Sequence, residues 1–117
     1  MTIQWNPKPQ IQKVKQRASS SGTNIIKIDV PAGKIWRVVY LRAINGTKDY
    51  TPVSISGVDT GTHTYLSIPF AGMVSSDSEL TFVGELFIDD AVWFYFFDCD
   101  ANDVLEATIV YFEGIKI

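Results

Sequence analysis

Apolar and polar residues alternate with a period of two along most of this chain, and that rhythm predicts β-strands. In residues 25–30, Ile26, Ile28 and Val30 share one face while Lys27 and Asp29 share the other, the pattern of a half-buried strand. Pro31, Ala32, Gly33 and Lys34 predict a turn. Pro31 presets φ and Gly33 tolerates positive φ, so the β-rich run 35–44 is expected to return beside residues 25–30. Asn45-Gly46 predicts a tight turn or, with the polar residues through Asp49, a longer loop. Alternation resumes at 53–56 and 65–70 with a loop at 57–62 between them, and Pro52 and Pro69 mark strand edges or ends. After the polar loop 75–78 come 80–83 and 86–88. Two long strands follow, 91–97 and 105–112, separated by the polar turn 98–103. Beyond the first residues, no stretch sustains apolar positions at helical spacing over ten residues, so no helix is expected.

Seven or eight such strands, with turn signals roughly every 8–12 residues, predict an all-β fold: an antiparallel β-sandwich, jelly-roll-like. An immunoglobulin domain would carry paired cysteines, and an OB barrel has about five strands. Residues 10–24 are open to two readings. If 11–17 form a strand, Lys13, Lys15 and Arg17 share a face with Ile11, and 19–24 become a hairpin loop into Ile25. Residues 1–9, with Pro7 and Pro9, are then a free arm. The expected organisation is a basic amino-terminal arm or first edge strand over 1–17 and a β-sandwich domain over 18–117.

Composition narrows the function classes. The 117 residues suit one domain, and 46% hydrophobic with 20% charged residues is far from the make-up of disordered chains. No apolar run approaches the ~20 residues of a membrane helix, and the opening seven residues lack the pattern of a signal peptide, so export is not expected and neither is a membrane partner. One cysteine, Cys99, and one histidine, His63, leave no internal disulfide and no structural zinc set. Residues 1–24 carry Lys8, Lys13, Lys15 and Arg17 and no acid. Beyond them, six basic residues face all 13 acidic ones, a balance of -7. That asymmetry predicts contact with an acidic protein surface. Nucleic acid is not expected as a partner, because the body has no basic stripe and the aromatics do not alternate with Arg and Lys. Lysine on an exposed sheet edge, where it discourages unwanted pairing, is the plainer account of the same residues.

Catalytic constellations are missing. His63 has no nucleophile motif beside it, and the carboxylates flanking Cys99 discourage a thiolate, so an inert or buried thiol is expected. Asp98, Asp100 and Asn102 match the first three oxygen positions of a calcium loop. Asp103 then stands where its glycine belongs, and Ile109 where its bidentate glutamate belongs. Glu79, Glu85 and Glu106 are scattered and define no glycosidase pair. We therefore expect no enzyme, no cofactor, no catalytic residue and no metal site. Aromatic residues carry the remaining signal. Trp36 and Tyr40 share a strand face by simple alternation, as do Trp93, Tyr95 and Phe97, with Phe94 and Phe96 opposite. A strand apolar on both faces needs cover from outside a two-layer sandwich, which predicts a homo-oligomer, a trimer favoured. An aromatic platform for carbohydrate or a receptor is the alternative. The expected subunit or capsid contacts are Ile3 and Trp5 as apolar anchors, Lys8, Lys13, Lys15 and Arg17 for steering, and Trp93 and Tyr95.

The segment Asp29-Val30-Pro31-Ala32-Gly33-Lys34-Ile35-Trp36-Arg37-Val38 resembles the opening of small all-β structural proteins of tailed bacteriophages: capsid decoration or cement proteins, head-fibre bases and tail accessory proteins. The likeness extends over residues 11–113. It takes in an acidic turn, an aromatic strand, a second polar turn and a last strand ending Val110-Tyr111-Phe112-Glu113-Gly114. This resemblance implies a jelly-roll-like fold, no cofactor, no catalysis and assembly on a virion against proteins such as the major capsid protein. The chain would be made in the host cytoplasm.

Overall fold

The alternating runs fold into nine strands, with no helix among the described residues; a computed structural model describes residues 2–47, 51–58, 70–74 and 79–117. In chain order the strands are β1 (Ile3–Trp5), β2 (Gln10–Arg17), β3 (Gly22–Asp29), β4 (Lys34–Asn45), β5 (Thr51–Val58), β6 (Phe70–Val74), β7 (Leu80–Ile88), β8 (Ala91–Cys99) and β9 (Val104–Lys116). β1 pairs with residues 114–116 of β9 and β2 with residues 104–111, so the two lie end to end on one flank of β9. Asn6, Pro7, Lys8 and Pro9 interrupt them, since proline has no N–H to give a ladder. Counting that broken strand once leaves eight positions. One sheet runs β1/β2, β9, β4, β7 and the other β3, β8, β5, β6.

Every pairing is antiparallel, and one set of pairs is nested. The first position pairs with the last, β3 with β8, β4 with β7, and β5 with β6, as if one long hairpin had been rolled up. That is the jelly roll, built from two Greek keys. From the broken first strand onward, consecutive strands therefore alternate sheets except at the innermost pair, β5 and β6, which share one, and two expectations change. The spans 19–24 and 31–34 hold crossings between sheets, at 18–21 and 30–33, rather than hairpin turns. At the first, Asn24 accepts from the Ser19 N–H at 3.0 Å and donates to the Ser20 carbonyl at 3.0 Å. At the second, Gly33 takes φ 79° and Lys34 N–H reaches the Pro31 carbonyl at 3.1 Å. Alternation identifies a strand's buried face, but a hairpin and a crossing share the same turn residues. Asn45-Gly46 likewise closes no hairpin, because β4 and β5 belong to different sheets.

Residues 3–5 are likewise no free arm. They are laid on β9, and Asn6 N–H adds a bond to the Glu113 carbonyl at 2.8 Å. Of the expected loop 57–62, Gly57 and Val58 instead end β5, and of the expected strand 65–70, Phe70 opens β6; the rest of both, the loop 75–78 and His63 lie outside the described residues.

Inward side chains of both sheets form one core, with Trp36, Leu41, Leu105 and Ile109 facing Ile26, Ile55, Phe94 and Phe96. The space left between the sheets, lined by apolar side chains and Gly57, is about 10 Å3, at the limit for one water. Trp36 stacks on Tyr111 with ring centroids 3.9 Å apart, and its indole N–H donates to Glu113 Oε1 at 3.2 Å. A register shift between Val38 and Tyr40 separates Trp36 from Tyr40: the bulge turns Tyr40 to the outer face, although simple alternation places both on one.

Candidate functional site

Since the core is closed, the candidate chemistry lies on the two outer faces. On the β1/β2–β9–β4–β7 sheet, the register sets Lys13, Thr108, Arg42 and Thr81 in one row across the strands. Lys13 Nζ lies 3.0 Å from Glu106, Arg42 Nη1 lies 3.7 Å from the same carboxylate, and Arg42 also bonds Glu79. That bond from Glu79 is the main reason the Arg42 pKa is raised above its ordinary value. Farther along, Arg37 reaches Glu85 at 3.7 Å and covers the Phe112 ring at 4.8 Å. The three glutamates considered as a glycosidase pair are thus spread across a surface ladder, each beside a cation.

Ile3 and Trp5 pack on this same face. A Cβ on Gly114 would meet Ile3 Cγ2 at 2.6 Å and Trp5 Cε3 at 2.9 Å, so the glycine is the seat of both side chains. Trp5 also reaches Phe87 on β7, with centroids 5.9 Å apart. Ile35 stands at the same level, paired with Gly114 as Trp5 is, and is buried although its pleat points outward. Arg17 donates to the Asn102 carbonyl at 3.2 Å, Lys8 stands in the proline interruption, and Lys15 is exposed with no charge partner among the described residues. Beside the interruption is an open cleft of about 370 Å3, where Lys34 faces Glu113 at 3.9 Å.

Trp93 and Tyr95 stand on the opposite side of the sandwich, outward on β8, a central strand of its sheet. Lys27 lies 5.6 Å from the Trp93 ring centroid, and Tyr95 and Phe97 are near parallel, 6.3 Å apart. Ser54 and Ser56 pair with Tyr95 and Trp93 from β5, while Ile25 and Lys27 do so from β3. The eight candidate contacts thus fall into two separate groups, six on or beside the first sheet and two on the second.

Sequence reasoning missed a row across the first outer face: Ile11, Val110, Tyr40 and Val83, one from each strand position. Ile11 is 66% and Val83 79% exposed. The signal was present in the alternation of Thr81 and Val83 against Leu80 and Phe82, but the bulges in β4 and β7 obscured which partners share its level.

The acidic turn is occupied with its own closure. Asp98 and Asn102 take positive φ (52° and 72°), and the buried Asp103 carboxylate accepts from Asp100 N–H at 2.9 Å and Asn45 Nδ2 at 3.1 Å. Asn45 also donates to Thr51 Oγ1 at 2.8 Å, tying the end of β4 to the start of β5. Among the described residues no three His, Cys, Asp or Glu side chains group as a metal site. Cys99 is buried, its Sγ 3.5 Å from the Phe96 carbonyl.

No family model and no curated protein matches this chain. Solved structures do. A subunit of the disulfide-linked pili of Bacillus endospore appendages aligns over 97% of this chain and 92% of its own, with 19% identity and a TM-score of 0.51. The Yersinia pseudotuberculosis-derived mitogen aligns over 89% of this chain and 86% of its own, with 13% identity and a TM-score of 0.51. The virus-like particle of the extra small virus of the prawn Macrobrachium rosenbergii aligns over 90% and 78%, with 13% identity and a TM-score of 0.45. At these identities the likeness is one of fold.

Proposed function

We propose that this chain is a non-enzymatic structural protein of a virion, of the capsid decoration, cement or tail accessory type found in tailed bacteriophages. In this reading it works by binding neighbouring subunits: copies of itself, as a trimer or a multiple of one, and other virion proteins such as the major capsid protein. One observation carries the reading. A closed jelly-roll core leaves apolar side chains on both outer faces, Ile11 and Val83 on one and Phe97 beside Trp93 and Tyr95 on the other. The fold shared with a pilus subunit suits a structural role. Linkage through cysteine would not, since the single thiol is buried. The test is to mix purified protein with capsids lacking it and measure co-sedimentation. Saturable binding supports the proposal, and its failure across virion particles of the source phage rejects it.

A second reading has its own observation, the three aromatic side chains of β8 flanked by Ser54 and Ser56, a surface on which sugar rings could stack. A glycan array with wild type and Trp93→Ala distinguishes the two, because binding lost with Trp93 would favour carbohydrate.

A further inference from the structure

The row Ile11, Val110, Tyr40 and Val83 is symmetric about the middle of its sheet. Its most exposed members sit on the two edge strands, Ile11 on β2 and Val83 on β7, and its less exposed members on the two central ones. Charge across the same strands is antisymmetric instead. β2 carries Lys13, Lys15 and Arg17 and no acid, whereas β7 and the residue before it carry Glu79 and Glu85 and no base.

We infer that this outer face binds a second copy of itself about a two-fold axis parallel to the strands, lying between β9 and β4. The inference rests on the proposed role as a self-assembling subunit and adds the surface and the symmetry. Rotation about that axis keeps each row at its own level and reverses the strand order, so β2 covers β7 of the second copy and β9 covers its β4. Ile11 then meets Val83 of the other copy, Val110 meets Tyr40, and both relations occur twice, as an isologous contact requires. Two rows away, Lys15 meets Glu79, which its own Arg42 approaches from the other side. Turning the axis perpendicular to the strands would instead set the basic β2 edges against each other. The area is sufficient. Four strands ~4.8 Å apart over nine residues of ~3.3 Å cover ~19 by ~30 Å, ~570 Å2 per copy and ~1,100 Å2 for the pair, above the ~1,000 Å2 that a specific contact needs. If a three-fold contact uses the other face, the same two-fold joins two trimers.

Cysteine pairing reads the axis directly. Ile11→Cys and Val83→Cys proteins, mixed and mildly oxidised, should form a disulfide-linked pair, and neither should link to itself; the buried Cys99 is out of reach. Links between two Ile11→Cys chains, or none in the mixture, would overturn the arrangement. Val83→Glu, at an exposed position, should halve the assembly's mass in sedimentation while leaving the far-ultraviolet dichroism of the folded chain unchanged. An undiminished mass would overturn the interface itself. Capsid binding is scored separately: its absence with a halved mass counts against the virion role and leaves the two-fold contact standing.

Discussion

On the β1/β2–β9–β4–β7 sheet the most exposed apolar side chains of the crossing row stand at the edges, and the charges between them offset one another along Lys13, Glu106, Arg42 and Glu79. On the other sheet the arrangement is inverted. Trp93, Tyr95 and Phe97 line the central strand β8, and the charged Lys27 and Asp29 sit on the edge strand β3. A flat face with both signs of charge and apolar edges matches its own copy. An aromatic ridge between serines on one side and Ile25 and Lys27 on the other suits a groove or a planar ligand instead. In the proposed role the two unlike faces would serve different contacts, one with a second copy and one with a different partner.

The largest effect would come from emptying the core behind both faces. Trp36→Ala removes the stacking on Tyr111 and the hydrogen bond to Glu113, and Phe96→Ala opens a void under β8. Each should cost ~3–5 kcal/mol, a large share of the ~5–15 kcal/mol typical of a domain. Urea unfolding followed by near- and far-ultraviolet dichroism measures both. Coincident single transitions are expected for each variant; if Phe96→Ala melts in two steps, the sheets do not share one core and their faces must be treated as independent bodies.

How much of this was legible in advance depended on the kind of information each residue holds. The alternation of Ile26, Ile28 and Val30 against Lys27 and Asp29 specifies which side is buried, and the structure buries that side. The same alternation says nothing about which strand lies alongside. Residues 31–34 carry turn chemistry that serves a hairpin or a crossing equally, and only the nested pairing of the whole chain decides between them. Simple alternation puts Tyr40 on the face of Trp36, but one extra residue in β4 inverts everything after it. The contact face suffered most. Ile11, Tyr40, Val83 and Val110 are far apart in sequence, and their common level exists only once two bulged registers are known. Lys13, Lys15 and Arg17 on one face with Ile11 could be read directly, being neighbours within a single strand.

A smaller effect is expected at the polar staple that ties both sheets together at one end. Asp103→Ala removes the acceptor of a buried Asn45 N–H and of the part-buried Asp100 N–H, at ~1–3 kcal/mol for the buried group. Thermal unfolding should show a lowered midpoint, and calcium should leave the wild-type midpoint where it is, since the carboxylate is already engaged by two donors. A calcium-dependent rise of several degrees would mean the turn binds the ion tightly in the native state.

The smallest effect tests whether charge does different work on the two faces. Lys27 contacts the Trp93 ring at 5.6 Å and Asp29 at 3.3 Å, with both charged side chains more than half exposed. A cation over a ring at such a site contributes ~0.5–1 kcal/mol, and an exposed ion pair ~0–1 kcal/mol. Lys27→Met keeps the apolar stem and removes the charge and with it both contributions, so the loss should not exceed ~2 kcal/mol on these scales. Salt separates the two sources. At 1 M the screening length is ~3 Å, which suppresses the exposed pair far more than a cation resting against the ring. If the difference between wild type and Lys27→Met persists in high salt, the lysine belongs to the aromatic ridge. If it vanishes, Lys27 is a surface ion like those of the opposite ladder, and the contrast between the faces rests on the rings alone.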